Sequence, residues 1–117
     1  MDRTKKRAPQ HLQPATRRWW SSVVADFELE DHHIRLLTLA AESWDRCQQA
    51  REAIAEHGLT YVDGHGSPRA RPEVGIERDS RIAFARLLRE LGLDVQPPAE
   101  SRSPVIAGNF YRKVEGS

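Results

Sequence analysis

The 117 residues of this chain lack most of the features that announce chemistry, and each absence excludes something. One cysteine, Cys47, rules out an internal disulfide and suits a reducing compartment. No Gly-rich loop ends in Lys-Ser or Lys-Thr, so no phosphate-cradling nucleotide site is expected. No acidic cluster has the spacing of a metal site. The most apolar run, Leu36-Leu37-Thr38-Leu39-Ala40-Ala41, is far too short to cross a bilayer. The charged N-terminus carries no apolar stretch of the signal-peptide kind. With 30% of residues charged and 38% hydrophobic, a lone globule of this size would be only marginally stabilised. The composition therefore reads as a soluble intracellular protein with one domain and tails, with no catalytic residue, no cofactor, no metal and no membrane contact.

A net charge of +1 conceals an uneven distribution. Arg3, Lys5, Lys6, Arg7, Arg17 and Arg18 lie within the first twenty residues, opposed only by Asp2. Cations gathered at one end attract polyanions even when the whole chain is nearly neutral. These six residues are the candidate DNA contacts, sequence-independent and salt-sensitive in character.

The chain divides into a basic flexible arm (1–13), a helical domain (14–96) with a β-hairpin near 59–71, and a flexible C-terminal tail (97–117). Pro14 suits a helix first turn. Trp20, Val23, Val24 and Phe27 follow at i, i+3, i+4 and i+7, with Trp19 beside them, forming one apolar stripe. Glu28-Leu29-Glu30 breaks this helix, and Asp31 is placed to cap the next. Leu37, Ala40, Ala41, Trp44, Cys47 and Ile54 then form a seam that runs to His57-Gly58-Leu59, a stop signal. A helix of that extent reaches roughly 40 Å, whereas a compact globule of this chain length has a radius of gyration near 13 Å. A helix that outruns its domain packs against other chains, so a homo-oligomer is expected.

Leu59-Thr60-Tyr61-Val62 reads as a short strand and Asp63-Gly64 as the start of its turn. The return strand is confined between Pro68 and Pro72. An isolated two-stranded hairpin is marginal in water, so this one should lie on the helices or on a neighbour. Pro72 opens a third helix with Glu73 at its positive end. Ile82, Ala85, Leu88 and Leu91 are its expected stripe, widened by Phe84 and Leu87, and Leu91-Gly92-Leu93 repeats the stop signal. The fold class is thus mainly α: three helices, two of them long, with a small hairpin between the second and third.

Other residues are assigned by weighing chemistry against packing. Adjacent His32 and His33 point about 100° apart on a helix and cannot share an ion, and His57 and His65 lie far along the fold. Trp19, Trp20 and Trp44 could stack on bases, but their places on apolar stripes favour core or subunit packing. Leu37, Ile54 and Tyr61 are read in the same way, and Cys47 as a buried thiol. Arg69, Arg71, Arg78, Arg81 and Arg89 are read as surface or subunit-contact residues, Arg78 and Arg81 pairing with Glu77, Asp79 or a neighbour's carboxylates. The short hydrophobic spots Val105-Ile106 and Phe110-Tyr111 in the C-terminal tail are candidate docking points for a partner.

The order of these elements carries a resemblance. A helix with Trp19-Trp20 and Val23-Val24, a long charged helix, the Gly58-Leu59-Thr60-Tyr61 hairpin, the Pro72-Glu73-Val74 opening and the Leu88-Arg89-Glu90-Leu91-Gly92-Leu93 close resemble the small subunit of tailed-phage terminases over roughly residues 11–96. The resemblance implies a mostly helical, ring-forming protein in the cytoplasm of an infected bacterial host. Its implied partners are double-stranded viral DNA, engaged at the packaging start site, and the terminase large subunit, which holds the ATPase and nuclease. The other reading is a helix-turn-helix regulator built from the first helix and the start of the second. The length of that second helix and an otherwise idle hairpin count against it. A plain helical interaction module without DNA is the third.

Overall fold

The structure, a computed structural model, describes residues 6–94. Helices α1 (Pro14–Asp26), α2 (Asp31–His57) and α3 (Pro72–Leu91) account for most of it, with strands β1 (Thr60–Val62) and β2 (Pro68–Ala70) between α2 and α3. The chain is mainly α, as its periodicities indicate. The tail 97–117 and residues 1–5 lie outside the described residues.

Each helix boundary has a local cause. Pro14 occupies the first turn of α1, and Phe27 closes it in an extended conformation, its amide bonded to the Val23 carbonyl. By leaving the helix there, Phe27 also leaves the expected stripe and stands 51% exposed. The cap of α2 falls one residue before the expected Asp31: Glu30 is extended, and its amide donates to Nδ1 of His33 at 3.1 Å. Asp31 instead enters the first turn, where a carboxylate faces the positive end of the helix. Gly58 ends α2 at φ 89°, a conformation that a side chain disfavours. Gly92 ends α3 at φ 76°. There the Leu93 amide reaches the Leu88 carbonyl and the Gly92 amide that of Arg89, which is a Schellman close.

The buried cluster is Leu12, Trp20, Val23, Leu37 and Ala41, flanked by Ala8, Trp19, Val24, Leu29, Ile34, Leu91 and Leu93. It joins α1, the first half of α2 and the C-terminal end of α3. The Trp20 indole N–H finds the Thr38 hydroxyl at 3.2 Å, so this large ring is buried without an orphaned donor. The folded unit begins earlier than the boundary expected at residue 13, because Leu12 is only 2% exposed and brings residues 8–13 onto the helices.

α3 runs alongside α2 as its chief partner, yet α3 contains no fully buried residue. The stripe expected on it is also rotated. Ile82 is 43% exposed and Ala85 is exposed, while Glu77, Ser80, Phe84, Leu87, Leu88 and Leu91 are half-buried. The reason is geometric: residues spaced by three drift about 60° per step, so Ile82 and Leu91 lie on opposite sides of the helix. Phe84 meets Trp44 with ring centroids 5.1 Å apart and Trp19 at 5.9 Å. Further along, Glu77 accepts Arg51 Nε at 3.3 Å and Arg81 Nε at 3.2 Å. The Arg81 hydrogen bond is the main cause holding the Glu77 carboxyl below its ordinary range. The Cys47 thiol lies 3.7 Å from the same carboxylate and is pushed up, chiefly by burial.

The hairpin pairs Thr60 with Ala70, Tyr61 with Arg69 and Val62 with Pro68. Asp63 organises its turn. One carboxylate oxygen accepts the His65 amide at 2.8 Å and the Ser67 amide at 2.9 Å, and the other accepts Arg69 Nε at 2.9 Å. The Ser67 amide, then the Arg69 guanidinium and the His65 amide, hold this carboxyl below its usual range. At the base, the Arg71 amide bonds the Leu59 carbonyl and Arg71 Nε the His57 carbonyl at 3.3 Å. All six strand residues are exposed, so the hairpin is held by its own turn and base instead of lying on the helices.

Candidate nucleic-acid interface

α1 has two faces with different duties. Thr16, Trp20 and Val23 are buried against α2. On the other side Lys6, Arg7, Arg17 and Arg18 line one shallow concavity with Ala8, Gln10, Pro14 and Ser21, of about 610 Å³ and broadly open to solvent. The fold thus brings together the four sequence-predicted cations that fall within the described residues. Arg3 and Lys5 lie outside them.

What fixes this surface is a carboxylate from α2. Asp45, 8% exposed, accepts the Gln13 amide at 2.8 Å and the Thr16 hydroxyl at 2.6 Å. It therefore satisfies free donors at the start of α1 and puts negative charge at the positive end of that helix. α1 has no side-chain cap of its own; the cap is tertiary. Asp45 was not among the candidate residues. The available signal was an acid at i+4 from Ala41 and i+8 from Leu37, on a helix face that is otherwise apolar.

The cations differ in their local attachments. Arg17 Nη1 donates to the Leu12 carbonyl at 2.6 Å and the Gln10 carbonyl at 3.1 Å, tying the preceding segment to α1. A guanidinium carries five N–H groups, so Arg17 keeps donors for an external anion. Lys6 Nζ lies 3.8 Å from a highly exposed Asp31 carboxylate, a pairing of little energetic weight. Arg7 and Arg18 make no ion pair with the described residues.

Several other arginines are engaged within the chain. Arg69 pairs with Asp63, Arg78 with Asp79, and Arg81 and Arg51 with Glu77. The histidines are spread over unrelated tasks. His33 caps α2, His32 stacks on His33 with centroids 4.1 Å apart, and His11 bonds Glu42 at 2.7 Å. Among the described residues no three His, Cys, Asp or Glu side chains gather closely enough to hold a metal ion, and no helix is long and apolar enough to cross a membrane.

The residues read as core or subunit packing separate into two groups. Trp20 and Leu37 are buried at 2% and 0% exposure, and Trp19 and Ile54 are half-buried. Trp44 and Tyr61 are each 41% exposed. They belong to an outer apolar set with Leu39, Leu59, Val62, Ile76 and Ile82.

Comparison with known proteins identifies a family. A family model described as phage terminase, small subunit, matches residues 17–107, which is most of the chain. No curated protein and no solved structure matches it.

Proposed function

The chain belongs to the phage terminase small-subunit family, with a role in phage DNA packaging, and from that premise we propose that it is the non-enzymatic subunit that grips viral duplex DNA and brings the large ATPase-nuclease subunit to it. The observation that carries the DNA half of this reading is the single concavity shared by Lys6, Arg7, Arg17 and Arg18. Arg17 and Arg18 sit on α1, whose opposite face is buried, and Lys6 and Arg7 come from the segment before it. The side chains face solvent together, and no exposed aromatic ring lines the concavity to stack on an unpaired base. Phosphates of a duplex are the partner such a surface fits.

Repetition would supply affinity. α3 buries no residue of its own in a single chain, and Leu59, Tyr61, Val62, Ile76 and Ile82 stand exposed. We assign these to contacts between copies in a homo-oligomer, with a closed ring as the expected form. Each copy then presents the same basic concavity, and weak contacts add by avidity. The assembly acts in the cytoplasm of the infected bacterial host.

The alternative, a helix-turn-helix regulator, has less support. Its second helix would be α2, whose 27 residues outrun the short stretch that a recognition helix lays in a major groove, and the hairpin would have no part in it. Native mass spectrometry separates the two readings, a regulator giving a dimer and a ring a larger defined oligomer. The DNA surface is tested with the double variant Arg7→Ala, Arg18→Ala. Duplex affinity should fall at low salt without dependence on sequence. The log–log salt slope should become shallower by about 2 per copy, one phosphate contact contributing about 0.9. Unaltered affinity and slope would remove this surface from the reading.

A further inference from the structure

A second concavity lies on the other side of α1 and is apolar. Ala15, Thr16, Trp19, Trp44 and Phe84 enclose about 270 Å³ open to solvent. Its walls come from all three helices. Trp44 leans on Phe84, yet it is 41% exposed, an uncommon state for a tryptophan between two packed helices. We propose that Val105-Ile106 of the same chain occupies this groove.

Three observations select that occupant. The chain leaves α3 nearby: Leu91 and Leu93 pack on the same buried cluster as Trp19, and Phe84 lies about 11 Å back along the axis from the helix end. The stretch from Asp94 to Val105 spans up to about 36 Å when extended, so the return is well within reach. The chemistry is matched, since Val105-Ile106 is an isolated β-branched pair between Ser101-Arg102-Ser103-Pro104 and Ala107-Gly108-Asn109, and an apolar groove is where such a pair sheds water. The family match also runs through Val105-Ile106 and stops at residue 107, before the other apolar pair, Phe110-Tyr111.

The consequence is mechanical. α1 rests chiefly on α2 and meets α3 through Trp19 and Phe84, a contact that a plug beside Ala15, Trp19 and Phe84 reinforces. The tail then holds steady the helix whose far side carries Arg17 and Arg18.

The test uses the full-length chain with a photo-crosslinker, Ile106→benzoylphenylalanine, in an equal mixture of isotope-labelled and unlabelled protein. Adducts on peptides containing Trp19, Trp44 or Phe84, with both halves from one isotope pool, are the expected result. Adducts joining the two pools would overturn the proposal in favour of a neighbouring copy's tail. Adducts elsewhere, or none, would overturn it outright. As an independent measure, the full-length double variant Val105→Asp, Ile106→Asp should raise acrylamide quenching of tryptophan emission, with helicity unchanged by circular dichroism. Trp44→Phe in that background should abolish most of the increase. Quenching equal to that of the parent would sink the idea. Neither readout depends on DNA, so failure here leaves the proposed function untouched.

Discussion

Around the first half of α2 the chain supplies a third layer: α1 and the segment before it bury Leu12, Trp20 and Val23 against Leu37 and Ala41. Around the second half α3 alone lies alongside, Ala50 is the last buried position on α2, and the hairpin beyond is exposed throughout. One half closes a core with its own residues, although Phe27 and Leu39 stay exposed there. The other carries Leu59 at 60% exposure and Val62 at 69%, apolar surface with no cover from the same chain. The difference separates two uses of hydrophobic residues within 89 consecutive positions (residues 6–94): one set closes a core, and the other is left for association.

Substitutions can break that comparison, most severely in the finished half. Trp20→Ala should cost about 3–5 kcal/mol, a transfer loss plus a cavity, read as a lower denaturation midpoint at unchanged oligomer mass per folded chain. Asp45→Ala comes next. It strands the Gln13 amide and Thr16 hydroxyl, at about 1–3 kcal/mol. Amide exchange should quicken in α1 well before it does in α2 or α3.

In the unfinished half the expected outcome inverts. Tyr61→Ser with Val62→Ser should alter the stability of an isolated chain by no more than about 0.5 kcal/mol, while native mass spectrometry shows the assembly dissociating. Equal loss of both properties would mean that the hairpin belongs to the fold.

The smallest effect concerns acid. The Asp63 carboxyl has a folded-state pKa below its unfolded value, through the Ser67 amide, Arg69 and the His65 amide. Its contribution is therefore fully present above the unfolded value, near 3.9, and is lost as pH falls through the folded one. The His65 and Ser67 amide resonances should hold their positions from pH 7 to about 5 and shift only below about 4. Asp63→Asn should remove that step. A step that survives Asp63→Asn would assign the turn's titration to another group.

Much of this division was legible in the residues, for identifiable reasons. Gly58 and Gly92 stop helices because their conformations exclude side chains. Asp63-Gly64 marks a turn because an aspartate can accept the amides that follow it. These are local effects, complete within a few residues. The rotation of α3 was not legible: Ile82 and Leu88 are equally apolar, and which of them faces α2 is decided by Phe84 fitting against Trp44. Nor did the residues just before α1 reveal their attachment, since Leu12 is a lone apolar residue among polar ones and gains meaning only from the cluster that receives it. Within the basic site, charge alone indicated Arg17 and Arg18, but the carbonyls that Arg17 holds are set by tertiary geometry.

The carboxylate at the start of α1 also acts as an index mark. Greasy surfaces such as Trp20 and Val23 tolerate sliding, because one methyl resembles another. The Asp45 oxygens have no such tolerance: a slip of a single turn, about 5.4 Å, would leave them facing no donor. The bearing of α1 on its support is therefore indexed by one acid in the middle of the long helix. Every copy of the subunit should thus hold its cationic side at the same angle.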